Sequence, residues 1–380
     1  MEAHGRVLRA DIRADRDLPP FDRVMLDGFA LRAASLAAGT RTFRIQGLQA
    51  AGMIPLRLEE DPRAAVEIMT GAVLPEGADC VVPYEETRRE GVSVTVTEAG
   101  ASFGPGNAVH RRASGHSAGE VVVRAGIRLS GIEIATAAAC GFSKLTIAEH
   151  PKIAVVSTGD ELVDVGGPVA PHQIRRSNDY ALRAALTAAG YPAAEGFHLR
   201  DVQEEIEHGL WHVLAEFDVV LTTGGVSKGV FDLLPAELER QGVRKIFHGV
   251  AQRPGKPFWF GVSGRRTPVF ALPGNPVSAY TCLHRYVIPA LNHASGLRAL
   301  PLRRSVLAAA FEFAPPLACL LPVRLSDGPL GETVATAAEV GTSGDFAALV
   351  GTDGFIELPA GPAVFPAGYA APFRRWAGVR

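Results

Sequence analysis

STGDEL at 157–162, TTGGVSKGVFD at 222–232 and LPGNPVSAY at 272–280 each close an apolar run and open a helix-like pattern. The runs that precede them, Ile153–Val156, Asp218–Leu221 and Pro268–Ala271, read as buried parallel strands. In an open parallel sheet such loops emerge together at the carboxyl ends of the strands, where ligands bind. Their glycines (Gly159, Gly224, Gly225 and Gly274) let a backbone approach a ligand closely, and helix N-termini offer free N–H groups to anions. Asp160, Glu161 and Asp232 lie among those donors. Carboxylates beside an anion repel it unless a divalent cation sits between them. The pattern therefore predicts a phosphate-bearing ligand handled with a metal. A generic α/β scaffold would use the glycines for turns but would not need the carboxylates.

Working outward, the order strand, loop, helix recurs from Pro151 to about Leu297, with helices expected at Asn178–Ala189, Val202–Glu216, Leu233–Gln241 and Pro276–Leu291. Pro276 stands where a first-turn proline is tolerated, because its missing N–H had no helical partner there. This predicts a doubly wound α/β domain over 151–297. Before it the texture is mixed and mostly β: short runs such as Thr42–Gly47 and Val92–Thr97 alternate with Pro/Gly turns, and only 130–141 looks helical. Beyond it, Ser305–Phe313, Ala318–Leu325, Thr333–Ala338 and Gly354–Leu358 predict a small C-terminal β domain over 298–380. The N-terminal part divides into a discontinuous mixed α+β domain, 1–20 with 113–150, and an inserted β-rich domain, 21–112.

Composition narrows the function classes. A chain of 380 residues suggests several domains, and 47% hydrophobic with 21% charged residues suits a soluble globular protein. Lys+Arg 38 against Asp+Glu 40 gives −2, so no global basic field invites nucleic acid. Arginine pairs, such as Arg175–Arg176 and Arg265–Arg266, are scattered. Four dispersed cysteines without a CxxC pair argue against a disulfide framework or a zinc knuckle, and a reduced cytoplasm is expected. The N-terminus lacks the apolar core of a signal peptide, and no stretch approaches membrane-span length. His208 and His212 have helical i, i+4 spacing, open to a metal but better suited to an amphipathic surface helix. No Walker GxxxxGK[ST] is present, which argues against a P-loop kinase or nucleotidase.

PPFDRVMLDGFAL at 19–31, IMTGAVLPEGADCVVPYEE at 68–86, VVSTGDEL, GGVSKGVFD, RPGKPFWFG and LPGNPVSA follow one another in an order that resembles the molybdopterin molybdenumtransferases, the bacterial MoeA and gephyrin E-domain group. The resemblance covers most of the chain and rests on six separate motifs. It implies an elongated homodimer of four-part subunits. Its activity would be hydrolysis of adenylated molybdopterin with Mg²⁺ and insertion of molybdate, releasing AMP and molybdenum cofactor. The implied partners are a molybdopterin adenylyltransferase and the apo-proteins of molybdoenzymes.

Carried onto this sequence, the resemblance assigns Glu161 and Asp232 to metal or substrate, and Asp201 to a position near the pterin. A helix N-terminal acid favoured by the dipole is the plainer reading of Asp201. Asp27, Thr70, Gly159, Gly224, Gly225, Ser227, Pro273, Gly274 and Asn275 fall at substrate-binding positions. Arg253, Lys256 and Pro257 match a molybdate loop, and Arg324 aligns with an arginine from the last domain. Molybdate is a tetrahedral dianion, which fixed donors and cations suit. The family places Asp27 and Thr70 at the site of the partner subunit.

The chain also departs from the family pattern. A usual serine is Val24, a tyrosine is Phe29, the first lysine of KPGKP is Arg253, and an upstream basic position falls at Gly249. A usual aspartate falls at Gly115, a serine of the last domain has no counterpart beyond Ser343, and the usual N-terminal helix is missing. These losses keep alternatives open: a molybdopterin or cofactor carrier without turnover, or a scaffold bridging other proteins.

Overall fold

The computed structural model describes residues 2–226 and 233–379. They form two compact units: one holds 2–4, 8–125 and 129–146, the other 5–7, 126–128 and everything from Ile147 onward. Among the described residues no helix is long and apolar enough to cross a membrane.

In the first unit, a six-stranded sheet runs in the order Cys80–Pro83, Gly28–Leu31, Ala64–Ile68, Thr42–Gln49, Ser93–Val96, Thr87–Glu90. Alternation sends Phe29 and Leu31 to one face with Phe43 and Val94, and Ala30 to the other with Val66, Ile68 and Val24. Two-stranded ribbons pair Ile12–Arg13 with Val121–Val123 and Arg23–Val24 with Val109–His110. The helix expected near 130–141 spans Gly131–Ala139 and opens on a capping box, Ser130 with Glu133.

The second unit carries the loops. Its strands up to Leu272 include β1 (Ile153–Thr158), β2 (Ala194–Leu199), β3 (Val219–Thr223), β4 (Arg244–His248), β5 (Gln252–Arg253), β6 (Trp259–Val262) and β7 (Pro268–Leu272). Its helices include α1 (Asn178–Ala188), α2 (Gln203–Glu216), α3 (Leu233–Arg240) and α4 (Pro276–Cys282). The central sheet runs β2-β1-β3-β7-β6-β4, with β2, β1, β3 and β7 mutually parallel and β6 antiparallel to both neighbours. Both faces are covered. Ile153, Val155 and Leu221 pack with Leu182 and Leu186 of α1 and with Leu283. Ala154, Val156 and Val220 pack with Ile206 and Leu210 of α2 and Leu238 of α3. That two-sided burial explains why the strands read as continuous apolar runs. From β1 the chain steps to β2 on one side and then to β3 on the other, so a topological switch point lies between β1 and β3.

The C-terminal strands β8 (Arg304–Leu307), β9 (Ala318–Asp327), β10 (Thr333–Ala337), β11 (Gly354–Leu358) and β12 (Ala370–Arg375) form a closed barrel. Its order is β9-β10-β8-β12-β11, and β11 returns to β9. The expected run Ser305–Phe313 is therefore two short strands, β8 and Phe311–Glu312. β5 extends this barrel from the α/β side, with Gln252 opposite Ala318 and Arg253 opposite Cys319. That pairing fixes the Arg253–Pro257 loop against the C-terminal domain.

Candidate functional site

The loops after β1, β3 and β7 converge at the switch point. Gly224 takes a left-handed φ of 97°, and a Cβ there would lie 2.7 Å from the carbonyl oxygen of Thr158. Only glycine fits both demands. A Cβ on Gly274 would lie 3.4 Å from the Cα of Gly224, so the second and third loops touch. The first loop carries Glu161 folded back on Gly159: a Cβ at Gly159 would meet its Oε2 at 2.5 Å. Both Asp160 and Glu161 are exposed. Asp160 Oδ1 accepts the backbone N–H of Asp201 at 3.1 Å, which joins the loop after β2 to this one. Asp201 is exposed and lies two residues before α2, where a helix-dipole role is equally satisfied. Asp232 and Ser227 lie outside the described residues.

Beside the third loop, a cleft of about 440 Å³ opens between the α/β domain and the barrel. Arg253, Lys256 and Pro257 form one wall, Pro273 and Asn275 another, and Cys319 with Ser343 the barrel side. Among the described residues this lining holds two cations and no carboxylate, a polarity that favours an oxyanion. The cationic loop is rigidly built. A Cβ on Gly255 would strike Cys282 Sγ at 2.5 Å, and Gln252 donates to the Pro254 carbonyl at 2.9 Å while Tyr286 donates to Gln252. Burial pushes the Cys319 thiol up to about 11, with Arg253 pulling the other way. On the barrel side, Asn275 donates to Ser343 Oγ at 2.7 Å, and the Val277 N–H donates to the Ser343 carbonyl at 3.1 Å. Ser343 thus latches the 340–345 loop to the start of α4.

Arg324 is exposed on β9, beyond the cleft-lining residues Cys319–Pro322, and faces Thr336 in the ladder. It does not line the cleft. In the first unit, Asp27 Oδ1 accepts the backbone N–H of Thr70 at 2.7 Å and its hydroxyl at 2.8 Å. Those donors hold the Asp27 carboxyl below its usual range, the backbone bond first. Gly28 has no room for a Cβ against the Val82 carbonyl.

The departures from the family pattern have physical counterparts. Val24 and Phe29 are core residues, 1% and 0% exposed, where a hydroxyl would need a partner. Gly249 has φ 93°, so a basic side chain is strained there. A Cβ on Gly115 would come within 3.0 Å of the Leu18 carbonyl oxygen. His212 of the i, i+4 pair packs edge-on against Phe197 and Phe217, and His208 Nδ1 bonds the Glu204 carbonyl at 2.9 Å. Among the described residues no three His, Cys, Asp or Glu side chains form a metal cluster. All four cysteines are buried and none forms a disulfide.

Two residues of this region carried no advance signal. Asn178, in an unremarkable SNDY segment, donates to Thr223 Oγ1 at 2.9 Å and to the Gly274 carbonyl at 2.8 Å. Cys319 enters the cleft only because β5 pairs with β9.

Fold and site together define an α/β protein whose switch-point loops adjoin a cationic cleft closed by a β barrel. Comparison with known proteins gives it a family. The MoeA N-terminal region (domain I and II) matches residues 1–141, a probable molybdopterin binding domain 154–293, and the MoeA C-terminal region (domain IV) 304–373. The molybdopterin molybdenumtransferase of Synechocystis sp. is 40% identical over 98% of this chain and 93% of its own. That of Staphylococcus epidermidis is 32% identical over 97% and 88%. A molybdopterin biosynthesis MoeA structure from Pyrococcus horikoshii superposes with a TM-score of 0.82 at 25% identity, covering 99% of this chain and 93% of that one. This chain belongs to the molybdopterin molybdenumtransferase family.

Proposed function

We propose that the chain is an enzyme of molybdenum cofactor biosynthesis. It inserts molybdate into adenylated molybdopterin and hydrolyses the adenylate, releasing AMP and molybdenum cofactor. The observation that carries this reading is the contact of the loops after β1, β3 and β7 beside a cationic cleft whose described lining holds no carboxylate. Loop N–H groups at Gly224, Gly225 and Gly274, with the turn at Gly159 and with Pro273 and Asn275, suit the phosphate and pterin ends of the substrate. Arg253, Lys256 and Pro257 suit the oxyanion. Ser227, by type, adds a hydroxyl or N–H donor.

Mg²⁺ fits the donor set. The Glu161 carboxylate is exposed at the first loop and has no side-chain partner among the described residues, as a hard cation requires of an oxygen ligand. Glu161, with Asp232, would hold the ion, and Asp201 would stand near the pterin. When bound, Mg²⁺ neutralises charge on the anhydride. The loop amides orient that anhydride, and the cationic wall holds molybdate beside it. Arg324, outside the cleft lining, would join these oxyanion contacts only if the C-terminal domain closes over the site. The protein would act in the cytoplasm as a homodimer, with the Asp27–Thr70 pair serving the partner's cleft. A molybdopterin adenylyltransferase would supply it and molybdoenzyme apo-proteins would receive its product.

The test is incubation of purified protein with adenylated molybdopterin, Mg²⁺ and molybdate, with AMP and cofactor measured. Release of both is expected. Pterin binding without AMP release would replace this reading with that of a carrier.

A further inference from the structure

Asn178 is the first residue of α1, a helix anchored to the sheet by Leu182, Ala185 and Leu186. From that fixed base its amide nitrogen spends both hydrogens on the neighbouring loops: one reaches Thr223 Oγ1 at the end of β3, the other the carbonyl of Gly274 after β7. The Thr223 hydroxyl passes its own hydrogen to the Pro273 carbonyl at 3.2 Å. It therefore needs an outside donor, and Asn178 is that donor. Beyond the last paired residues, Thr223 and Leu272, no backbone hydrogen bond joins Gly224–Val226 to Pro273–Asn275 among the described residues. Yet a Cβ on Gly274 would sit only 3.4 Å from the Gly224 Cα, so the two loops keep a close and specific spacing.

We infer that Asn178 is a positioning residue, on the reading proposed above: its amide holds the second and third substrate loops in register. Ala retains neither donor. Asp matches the shape but turns a carboxylate oxygen toward two acceptors. The helix is held by its apolar face, so loss of the amide leaves α1 in place and loosens only the loops. For a bound substrate that is a loss of alignment rather than of affinity, and misplacement by about 1 Å costs on the order of 10²-fold in rate.

The experiment compares wild type, Asn178→Ala and Asn178→Asp with adenylated molybdopterin, Mg²⁺ and molybdate between pH 5.5 and 8, alongside hydrogen exchange of the free proteins. In Asn178→Ala, kcat should fall by roughly 10- to 100-fold with KM for the adenylate little changed. Asn178→Asp should be the weaker variant at pH 8 and should gain on Asn178→Ala as pH falls. The facing acceptors disfavour its charged form, and the protonated carboxyl can donate to one of them. A purely structural role would give no such pH-dependent ratio. Exchange over 224–226 and 274–275 should quicken in Asn178→Ala while β1 and β3 stay protected. Unchanged loop exchange overturns the inference whatever the enzyme does, as does a variant with wild-type kcat or a pH-independent ratio. Absence of turnover in wild type, with loop exchange quickened in Asn178→Ala, sinks the proposed function and leaves the loop-positioning role standing.

Discussion

At Glu161 the side chain lies over Gly159, exposed and unpaired among the described residues, so its removal takes little packing away. Glu161→Ala should shift unfolding by no more than about 0.5 kcal/mol. If it holds the metal, AMP release should drop by several kcal/mol of transition-state stabilisation, roughly 10²- to 10³-fold, and Asp232→Ala should match it. Near wild-type turnover in either variant would remove that residue from the metal site. The cationic wall makes a different demand. Arg253 and Lys256 face a cleft whose described lining holds no carboxylate, so Arg253→Ala or Lys256→Ala should weaken molybdate by about 1.5–3 kcal/mol, roughly 10- to 150-fold. Pterin affinity should change less. A titration in which only pterin affinity drops would assign these cations to the phosphate. Arg324→Ala reports on the barrel: unchanged molybdate dependence would make Arg324 an ordinary surface residue of β9.

Among the elements, the helix after the third loop does not end where its periodicity predicts. It runs as α4, a π-helical turn over Leu283–Val287, and a further helix over Ile288–Ala294. The π turn carries His284, which is 6% exposed between Tyr280 and Trp376. Its Nε2 accepts the Ala377 N–H at 2.9 Å, so the proton sits on Nδ1 and is donated to the Tyr280 carbonyl at 2.8 Å. Burial holds its pKa down at about 4, with the Tyr280 carbonyl acting weakly against it. The unfolded chain takes up this proton near pH 6.5 and the folded chain only near 4. Stability from this group is therefore complete above about pH 6.5, declines as pH falls to about 4, and is flat below. The whole change is about 3 kcal/mol. His284→Gln should be less stable at neutral pH but should lose this part of the slope in urea unfolding between pH 7 and 4. An equal slope in both proteins would show that His284 does not titrate this way. The same region shows what the sequence hid. The strands before the three loops were legible because burial on both faces left unbroken apolar runs. β12 was not, since AAPFRR mixes a proline and two arginines, and barrel closure is decided by pairing far along the chain. β5 has only two residues, too short for any periodicity, yet it places Arg253 opposite Cys319. The antiparallel β6 also leaves no local mark, because direction is set by connection rather than composition.

For the whole molecule, the Asp27–Thr70 pair belongs to the first unit and the cationic cleft to the second. One oxygen of Asp27 takes both donors of Thr70, and the glycine beside it is sterically locked, so the pair is built rather than incidental. In an isologous dimer a loop distant in sequence can complete the site of the other copy. Complementation tests that arrangement directly. Subunits carrying Asp232→Ala would be mixed with subunits carrying Asp27→Ala and Thr70→Ala, each parent being inactive. A mixed dimer then holds one site with both defects and one with neither. Random exchange makes half of the dimers mixed, so activity should return to about a quarter of wild type per total protein. If exchange is verified by differently tagged subunits and activity stays at the level of the parents, each site is completed within its own chain and the shared-site dimer is wrong.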